Sequence, residues 1–173
     1  MARVQLVEVD RLTAQEREAL ESGDPDPFGN AELGLCWRDK DRFLAFRDSD
    51  GHLAAAAGLV IANAETSPDR VFAVVGIGGV IVAQAHRGQG LARDLVEEAL
   101  HRAANMGPEL AMLFCRRDLV GLYEQLGFDE IAEPVCAEQP GGQVQMPLPA
   151  MWRRLYEGAQ WPPGHVTLHG LPF

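Results

Sequence analysis

The chain has 173 residues, of which 47% are hydrophobic and 23% are charged, and this length and composition are typical of one globular domain. No apolar run approaches the roughly 20 residues that span a bilayer, and the N-terminus lacks the apolar segment of a signal peptide, so the sequence predicts a cytoplasmic protein without membrane contact. The net charge of −10 argues against nonspecific nucleic-acid binding and suits a cationic substrate, although solubility alone would also account for it.

The first half of the chain predicts one helix and an antiparallel meander. Thr13 and Glu16 form a capping-box pattern, so we expect a short helix from Thr13 to about Ser22. A loop rich in Gly, Pro and Asp follows at 23–32 and leads into a brief helix near 31–36. Alternating apolar residues and turn signals predict four strands, at 2–10, 42–48, 52–65 and 71–83, with turns at 49–51 and 67–70.

The second half predicts two more helices, further strands and a proline-rich tail from Pro134. Leu91, Leu95 and Ala99 form the apolar face of a helix that stops at a Gly-Pro pair, and Asp118 is expected to cap the next helix. The expected elements are a strand at 109–115, a helix at 119–126 and strands at 128–131, 142–148 and 165–171. This order shows no linker or repeat, so it predicts a single α/β domain with a mixed sheet over residues 1–173.

Cysteine and histidine usage predicts neither disulfides nor a metal site. The three cysteines, Cys36, Cys115 and Cys136, are far apart and show no CxxC spacing, which is typical of reduced thiols. His165 and His169 are four residues apart, but they fall in a segment that predicts a strand, where this helical spacing has no special meaning.

The segment AHRGQGLARDLVEEAL (85–100) places two glycines, an arginine and a glutamine directly before an amphipathic helix. It contains neither the GxxxxGK[ST] string of a Walker loop nor the small third residue of a Rossmann turn, where Arg93 stands instead. The unpaired N–H groups at the start of the helix, together with the positive end of its dipole, suit an anion such as a diphosphate. Gly88 and Gly90 leave room for the ligand, and Arg87 adds a positive charge.

Two motifs in this order resemble the GNAT superfamily of acetyl-CoA-dependent N-acetyltransferases. R-G-Q-G-L-A (87–92) is similar to its R/Q-x-x-G-x-G/A signature, and LYEQLGF (122–128) resembles its second hallmark, a helix with a tyrosine that ends in Leu-Gly-Phe before a strand. The similarity covers roughly 71–131. It implies an α/β fold with a mixed, mostly antiparallel central sheet flanked by helices, in which a splayed strand pair binds acetyl-CoA as co-substrate.

The resemblance also implies roles for individual residues. Tyr123 would be the general acid that protonates the leaving thiolate. Arg116 stands where many relatives have an asparagine, and it is either a contact for coenzyme A phosphates or a solvated surface charge. Glycines at 76, 78 and 79 are compatible with a bulge or a close backbone approach. Two sets of backbone groups would hold the cofactor. The pantetheine arm would pair with the strand edge of Val80, Ile81 and Val82. The pyrophosphate would be bound by the amides of Arg87, Gly88, Gln89, Gly90, Leu91 and Ala92.

The acceptor side lacks an evident general base. Aminoglycoside 2′-N-acetyltransferases, which the central block and the tail length also resemble, carry a glutamate on the fourth strand, and Gly78 occupies that position here. The base is then a water chain, an acid of the loop that borders the acceptor site in this superfamily, or absent. The loop acids Asp24, Asp26 and Glu32 are expected to bind a cationic acceptor. Three aromatic side chains either line the acceptor pocket or anchor the tail: Trp37, Trp152 and Trp161.

Together these features predict transfer of an acetyl group from acetyl-CoA to a primary amine of a small cationic acceptor, by direct attack in a ternary complex. The alternatives are an acetyltransferase that acts on a protein N-terminus or lysine, and a non-catalytic coenzyme A-binding module. The tail either covers its own sheet or exchanges with a second copy in a homodimer. We expect no nucleic acid, membrane or metal as a partner.

Overall fold

The computed structural model describes residues 3–66 and 69–173. Within these residues the strands are β1 (Gln5–Val9), β2 (Arg42–Arg47), β3 (Leu53–Thr66), β4 (Arg70–Val82), β5 (Leu110–Phe114), β6 (Asp129–Glu130), β7 (Val135–Gln139), β8 (Gly142–Gln145), β9 (Ala150–Arg154) and β10 (Val166–His169). The α-helices are α1 (Ala14–Glu21), α2 (Leu91–Ala103) and α3 (Val120–Gln125). Of the turn predicted at 67–70, positions 67 and 68 lie outside the described residues.

The described strands form one sheet around the long strand β3. The order is β6-β9-β5-β4-β3-β10-β7-β8, and β2, which also pairs with β3, has β1 at its other edge. The β4–β5 and β10–β7 pairs are parallel, whereas the other described pairs are antiparallel. This arrangement confirms the predicted mixed, mostly antiparallel sheet flanked by helices.

Helix α1 begins and ends where the sequence predicts. The Thr13 hydroxyl accepts a hydrogen bond from the Glu16 N–H (3.1 Å), and the Glu16 carboxylate accepts one from the Thr13 N–H (2.9 Å), which confirms the capping box. The helix ends at Ser22 in the left-handed conformation. Leu20 is its buried residue and packs against Ala45, Leu53 and Ala56, so the last turn of α1 attaches the helix to the sheet.

Helix α2 covers one face of the sheet. Leu91, Leu95 and Ala99 are buried against this face as predicted, and each buried leucine stabilises the fold by roughly 1.5–3 kcal/mol. Val75 and Ile77 of β4 belong to the same core cluster. Because successive residues of a strand alternate between faces, the intervening glycines of β4 lie on the opposite face.

Two local predictions are wrong. Helix α3 follows a 3₁₀ turn at Arg117–Leu119, and Asp118 does not cap it because its carboxylate accepts two hydrogen bonds from the Arg116 guanidinium (3.1 Å each). The helix expected at 31–36 is only a 3₁₀ turn at Ala31–Leu33, because Gly34 adopts a left-handed conformation (φ 62°) that ends it.

The proline-rich tail extends the sheet on both sides. Strands β8 and β10 fall within the segments expected at 142–148 and 165–171, whereas β7 and β9 were not predicted, and β6 is shorter than expected. β9 pairs with β5, and β10 pairs with β3. The sequence of β9, AMWRR, shows no alternation because it packs between β5 and β6 with both Ala150 and Met151 buried.

Candidate active site

Strands β4 and β5 pair only briefly and then separate. The parallel pairing consists of Val75↔Ala111 and Gly76↔Met112, although β4 continues to Val82. Among the described residues, no strand pairs with the β5-facing side of β4 beyond Gly76. A free strand edge of this kind can pair with an extended ligand through its backbone N–H and C=O groups. The splayed strand pair implied by the family resemblance is therefore present.

The three unusual glycines of β4 have two different structural roles. Gly79 has a φ of 60° and lies where the β3–β4 register shifts, which identifies a bulge. An ideal Cβ at Gly76 would lie 2.5 Å from the Phe173 ring, and one at Gly78 would lie 2.6 Å from the carbonyl carbon of Phe173. The tail therefore returns across the face of β4 opposite to α2, and the glycines make room for it.

The glycine turn forms an open cradle at the start of α2. Gly88 and Gly90 have φ values of 75° and 82°, and an ideal Cβ at either position would meet no atom within 4 Å. Gly90 is the N-cap of α2 and offers no side-chain acceptor, so the first N–H groups of the helix lack a side-chain cap. This combination of open space and unsatisfied donors fits a diphosphate.

Two contacts hold this turn against the rest of the sheet. The Arg87 Nε donates a hydrogen bond to the Val82 carbonyl oxygen (3.1 Å), so Arg87 folds back onto the end of β4. His86 Nε2 lies 3.3 Å from Asp48 Oδ2 in the β2–β3 turn. The turn is therefore braced from both sides, and the Val82 carbonyl is already engaged by Arg87.

The side chain of Tyr123 in α3 is almost fully buried. It is 6% exposed, and its ring packs edge-on against Phe128 with 5.8 Å between the ring centroids. Its hydroxyl makes no hydrogen bond to any residue in the described part of the chain. Burial, and secondarily the neighbouring Cys115, raises the pKa of Tyr123 to about 12, so the phenol stays protonated at neutral pH.

A cavity of about 660 Å³ connects these elements. Its lining includes Gly78–Ile81 of β4, the end of β5, Tyr123 and Phe173, together with residues of α1 and residues between 28 and 43. Of the predicted site residues, the cavity brings together Val80, Ile81, Arg116 and Tyr123. Val82 and the turn at 87–92 do not line it.

The three acids of the loop at 23–32, which are Asp24, Asp26 and Glu32, do not line the cavity. Asp24 accepts a hydrogen bond from the Asp26 N–H (2.9 Å), and Asp26 accepts two from the N–H groups of Asn30 (3.0 Å) and Ala31 (3.1 Å). Glu32 is exposed, and none of the three acids lines the cavity. Asp24 and Asp26 brace their own loop, and this loop contributes Phe28 and Asn30 to the cavity instead. A role for the acids in acceptor binding stays a prediction.

Arg116 and Trp37 lie at the cavity, whereas Trp152 and Trp161 do not line it. The Arg116 side chain lies beside Gly29, where an ideal Cβ would lie 2.8 Å from a guanidinium nitrogen. Arg116 therefore connects the end of β5 to the loop that contains Gly29. Trp37 lines the cavity. Trp152 and Trp161 stack at 5.9 Å in the tail, and the Trp161 ring also contacts Phe72 at 5.2 Å. These two tryptophans therefore anchor the tail.

Sequence reasoning missed Lys40 and Phe173, which both lie in the cavity wall. Burial lowers the pKa of Lys40 below its ordinary value, and the charges of Asp39 and Arg17 modify it further in opposite directions. The only sequence signal was the set of glycines in β3 and β4, whose missing side chains leave the space that these two residues fill. That signal indicates a close approach but not which distant residue makes it.

The sequence model of the acetyltransferase (GNAT) family matches residues 9–128 of this chain. The chain belongs to the GNAT acetyltransferase family. It is therefore an acetyl-CoA-dependent N-acetyltransferase, and the co-substrate implied by the family resemblance is confirmed. The segment that follows the match contains the whole tail from Pro134 onwards.

Solved structures of this family share the fold of the chain. It is similar to the N-acetyltransferase YhbS from Escherichia coli in complex with CoA, at 22% identity and a TM-score of 0.65, over 99% of this chain and 96% of that one. It is also similar to Escherichia coli ElaA (21% identity, 87% and 99% covered, TM-score 0.56). A third similar structure, at 14% identity, is the Neisseria gonorrhoeae N-acetylglutamate synthase complexed with coenzyme A and N-acetyl-glutamate (91% and 36% covered, TM-score 0.58).

At these identities the structures support the fold alone, and no curated protein matches this sequence significantly. In residues 3–66 and 69–173, every helix is too short or too polar to cross a membrane.

Proposed function

We propose that this enzyme transfers the acetyl group to the primary amine of a small molecule, by direct attack in a ternary complex. One observation supports this most strongly: a single cavity of about 660 Å³ reaches both the free edge of β4 and Tyr123. A volume of that size is typical of pockets that enclose small ligands, which occupy about 300–1,000 Å³. Donor and acceptor can therefore meet without an intermediate carrier.

The donor is held mainly by backbone groups in this proposal. The free edge at 80–82 aligns the pantetheine arm, except that the Val82 carbonyl is already used by Arg87. The amides of 87–92 receive the pyrophosphate at the start of α2, where the turn is open. Arg116 borders the cavity and is paired with Asp118, so it contributes a fixed charge rather than a mobile one.

Tyr123 acts as the general acid. The amine nitrogen forms a bond to the thioester carbonyl carbon, the C–S bond breaks, and the leaving sulfur takes the phenolic proton. The amine loses its own proton to solvent in the cavity, since no carboxylate side chain is present at Gly78. Because burial keeps Tyr123 protonated up to high pH, it has the proton to donate under all ordinary conditions.

Direct attack is favoured over an acetyl-cysteine intermediate by the state of Cys115. This thiol lies in the cavity wall, next to Tyr123. Burial, followed by the charge of Glu130, raises its pKa to about 11, so it is almost entirely a neutral thiol at pH 7. Since the thiolate is the nucleophile, Cys115 is poorly suited to accept the acetyl group itself.

The structure also bears on three further expectations. We propose that residues 1–173 belong to one domain, and the described strands, which all belong to one sheet, support this. The tail adds its strands to its own sheet, so we do not propose that it exchanges with a second copy. The expectation of a cationic acceptor rested on the net charge and on the three loop acids, whereas the cavity wall contains none of these acids and has more basic than acidic side chains.

The test combines binding and turnover. We expect acetyl-CoA to bind in a calorimetric titration and an amine panel to release free thiol. The Tyr123→Phe variant should lose about 10²- to 10⁴-fold in kcat, with the Kd for acetyl-CoA within about threefold, because a general acid acts only in the transition state. Tyr156→Phe is the matched control, since this exposed tyrosine donates to the Ala104 carbonyl away from the cavity.

Each alternative gives a different result in the same assay. Equal rates for Tyr123→Phe and the parent enzyme would remove the general-acid role. Thiol release with peptides but not with small amines would indicate a protein acceptor. Binding of acetyl-CoA without thiol release from any amine would leave only a coenzyme A-binding module.

A further inference from the structure

Lys40 is the only lysine in the chain, beside fourteen arginines, and its side chain lies in a groove made for it. Gly58 of β3 and Gly78 of β4 are direct cross-strand partners. An ideal Cβ at Gly58 would overlap Cγ of Lys40 and lie 2.6 Å from Cδ, and one at Gly78 would lie 3.0 Å from Cε. Both strands therefore have glycine where the lysine stem passes, and the stem ends in the cavity wall beside Gly79.

The ammonium group of Lys40 is incompletely satisfied. It donates one hydrogen bond, to the Arg38 carbonyl oxygen at 3.0 Å. An ammonium has three donors, and Lys40 forms no ion pair with any residue of the described ranges 3–66 and 69–173. A partly buried cation with unused donors is costly unless a ligand pairs with it.

The side-chain charges around Lys40 leave one positive charge uncompensated. Arg38 is neutralised by Asp41, with 3.1 Å between the charged groups. Arg17 also lines the cavity and has no ion-pair partner within the described residues. Arg11 and Glu21, which line the cavity as well, offset each other in charge. The exposed Asp39 opposes the charges of Lys40 and Arg17. A ligand with one carboxylate would balance this group.

We propose that the acceptor carries a carboxylate, which Lys40 binds with the help of Arg17. This inference rests on the proposed function, since it specifies the substrate of the same cavity. The Lys40 stem passes Gly78 and ends beside Gly79, so the side-chain charge at this point of the cavity is positive. A fixed cation there repels the second ammonium of a polyamine and attracts the acid group of an amino-acid-like acceptor.

The experiment compares matched acceptors. Amino acids with one to five carbons between amine and carboxylate are assayed by thiol release against their neutral amides. In the wild-type enzyme the best acid should exceed its amide by about 10- to 100-fold in kcat/KM, as expected for charge-assisted hydrogen bonds. In Lys40→Met the ratio should fall to about one. Arg154→Met removes the same charge from an exposed position on β9 and should keep the wild-type ratio.

Three results would overturn this inference. If amides react as well as acids in the wild-type enzyme, the carboxylate is not recognised, although thiol release would still support the proposed function. If no amine releases thiol, the proposed function fails together with it. If acetyl-CoA alone adds one acetyl group to Lys40, detected by peptide mass spectrometry, then this lysine is an acceptor rather than a receptor for the acceptor. The wild-type comparison needs no variant, so misfolding of Lys40→Met would not obscure it.

Discussion

The proposed donor side and the proposed acceptor side of the site are built from different kinds of groups. The proposed donor side is backbone from one short stretch, the end of β4, which lines the cavity, and the turn at 87–92 before α2, which lies outside it. The acceptor side is made by side chains from α1, from the segment before β2 and from the last residue of the sequence. A short sequence motif can specify the donor side, because backbone N–H donors are present in almost every residue type. The acceptor side depends instead on which side chains meet in space. The two sides should therefore respond differently to substitution.

The largest effect is expected on the donor side, from Gly90→Glu. A carboxylate would enter the open space at the start of α2, repel the diphosphate and strain a backbone with φ of 82°. We expect the Kd for acetyl-CoA to rise by about 100-fold or more, as like charges in contact cost several kcal/mol. Calorimetric titration measures this change.

The matched control is Gly158→Glu. Gly158 has nearly the same backbone conformation (φ 85°), also with no atom within 4 Å of an ideal Cβ, but it lies in the tail. Both variants carry the same strain and the same added charge, so only Gly90→Glu should lose affinity. If the two variants bind acetyl-CoA equally well, the turn at 87–92 does not hold the diphosphate.

The second-largest effect is expected on the proposed acceptor side, where Gly58→Ala should lower the catalytic efficiency for the acceptor. The new methyl group would overlap the Lys40 stem and displace it from its groove. We expect kcat/KM for the acceptor to fall about tenfold and the free energy of unfolding to fall by about 1–3 kcal/mol, which is typical of overpacking. Acetyl-CoA affinity, set on the other side, should change much less.

Gly141→Ala provides the comparison for that variant. An ideal Cβ at Gly141 meets no atom within 4 Å, and its φ lies outside the left-handed region. Its unfolding free energy should stay within about 0.5 kcal/mol of the parent value. If Gly58→Ala is as harmless as Gly141→Ala, the groove does not position Lys40.

A smaller effect of opposite sign is expected from Lys40→Met on stability. Methionine fills the same groove without a charge to desolvate, and burial already lowers the pKa of Lys40. We expect the Tm to rise by about 2–4 °C, which corresponds to about 1 kcal/mol for a chain of this size. Thermal unfolding of Lys40→Met and of the exposed control Arg154→Met measures it, and a lower Tm for Lys40→Met would show that the lysine stabilises the fold.

The smallest effect is spectroscopic and concerns Tyr123. Its pKa is about 12 in the folded protein, against about 10 in an unfolded chain. The folded state binds this proton more tightly, so the stability it contributes is present below about pH 10 and is lost as the pH rises towards 12. Phenolate absorbance should therefore show one tyrosine ionising late, and Tyr123→Phe should remove that step while Tyr156→Phe retains it. Loss of the late step in Tyr156→Phe would reassign it.

The sequence by itself determined the elements whose signals are local. The capping box at Thr13 and Glu16 fixes the start of α1, because its hydrogen bonds join residues three positions apart. The apolar face of α2 and the glycine turn before it are equally local, and together with the LYEQLGF segment they identified the family. Where the local signal had a competitor, the prediction was wrong: Asp118 binds Arg116 instead of capping α3.

Only the tertiary structure decided the acceptor side of the cavity. The glycines of β3 and β4 signalled a close approach, yet Lys40 meets Gly58 and Gly78 from 18 and 38 positions away, and Phe173 reaches Gly76 from the far end of the tail. Two of the tail strands could not be predicted either, since β7 and β9 acquire their places by pairing with β10 and β5. Such contacts depend on how the whole sheet is ordered, and sequence periodicity reports only which face a residue occupies, not which distant residue lies above it.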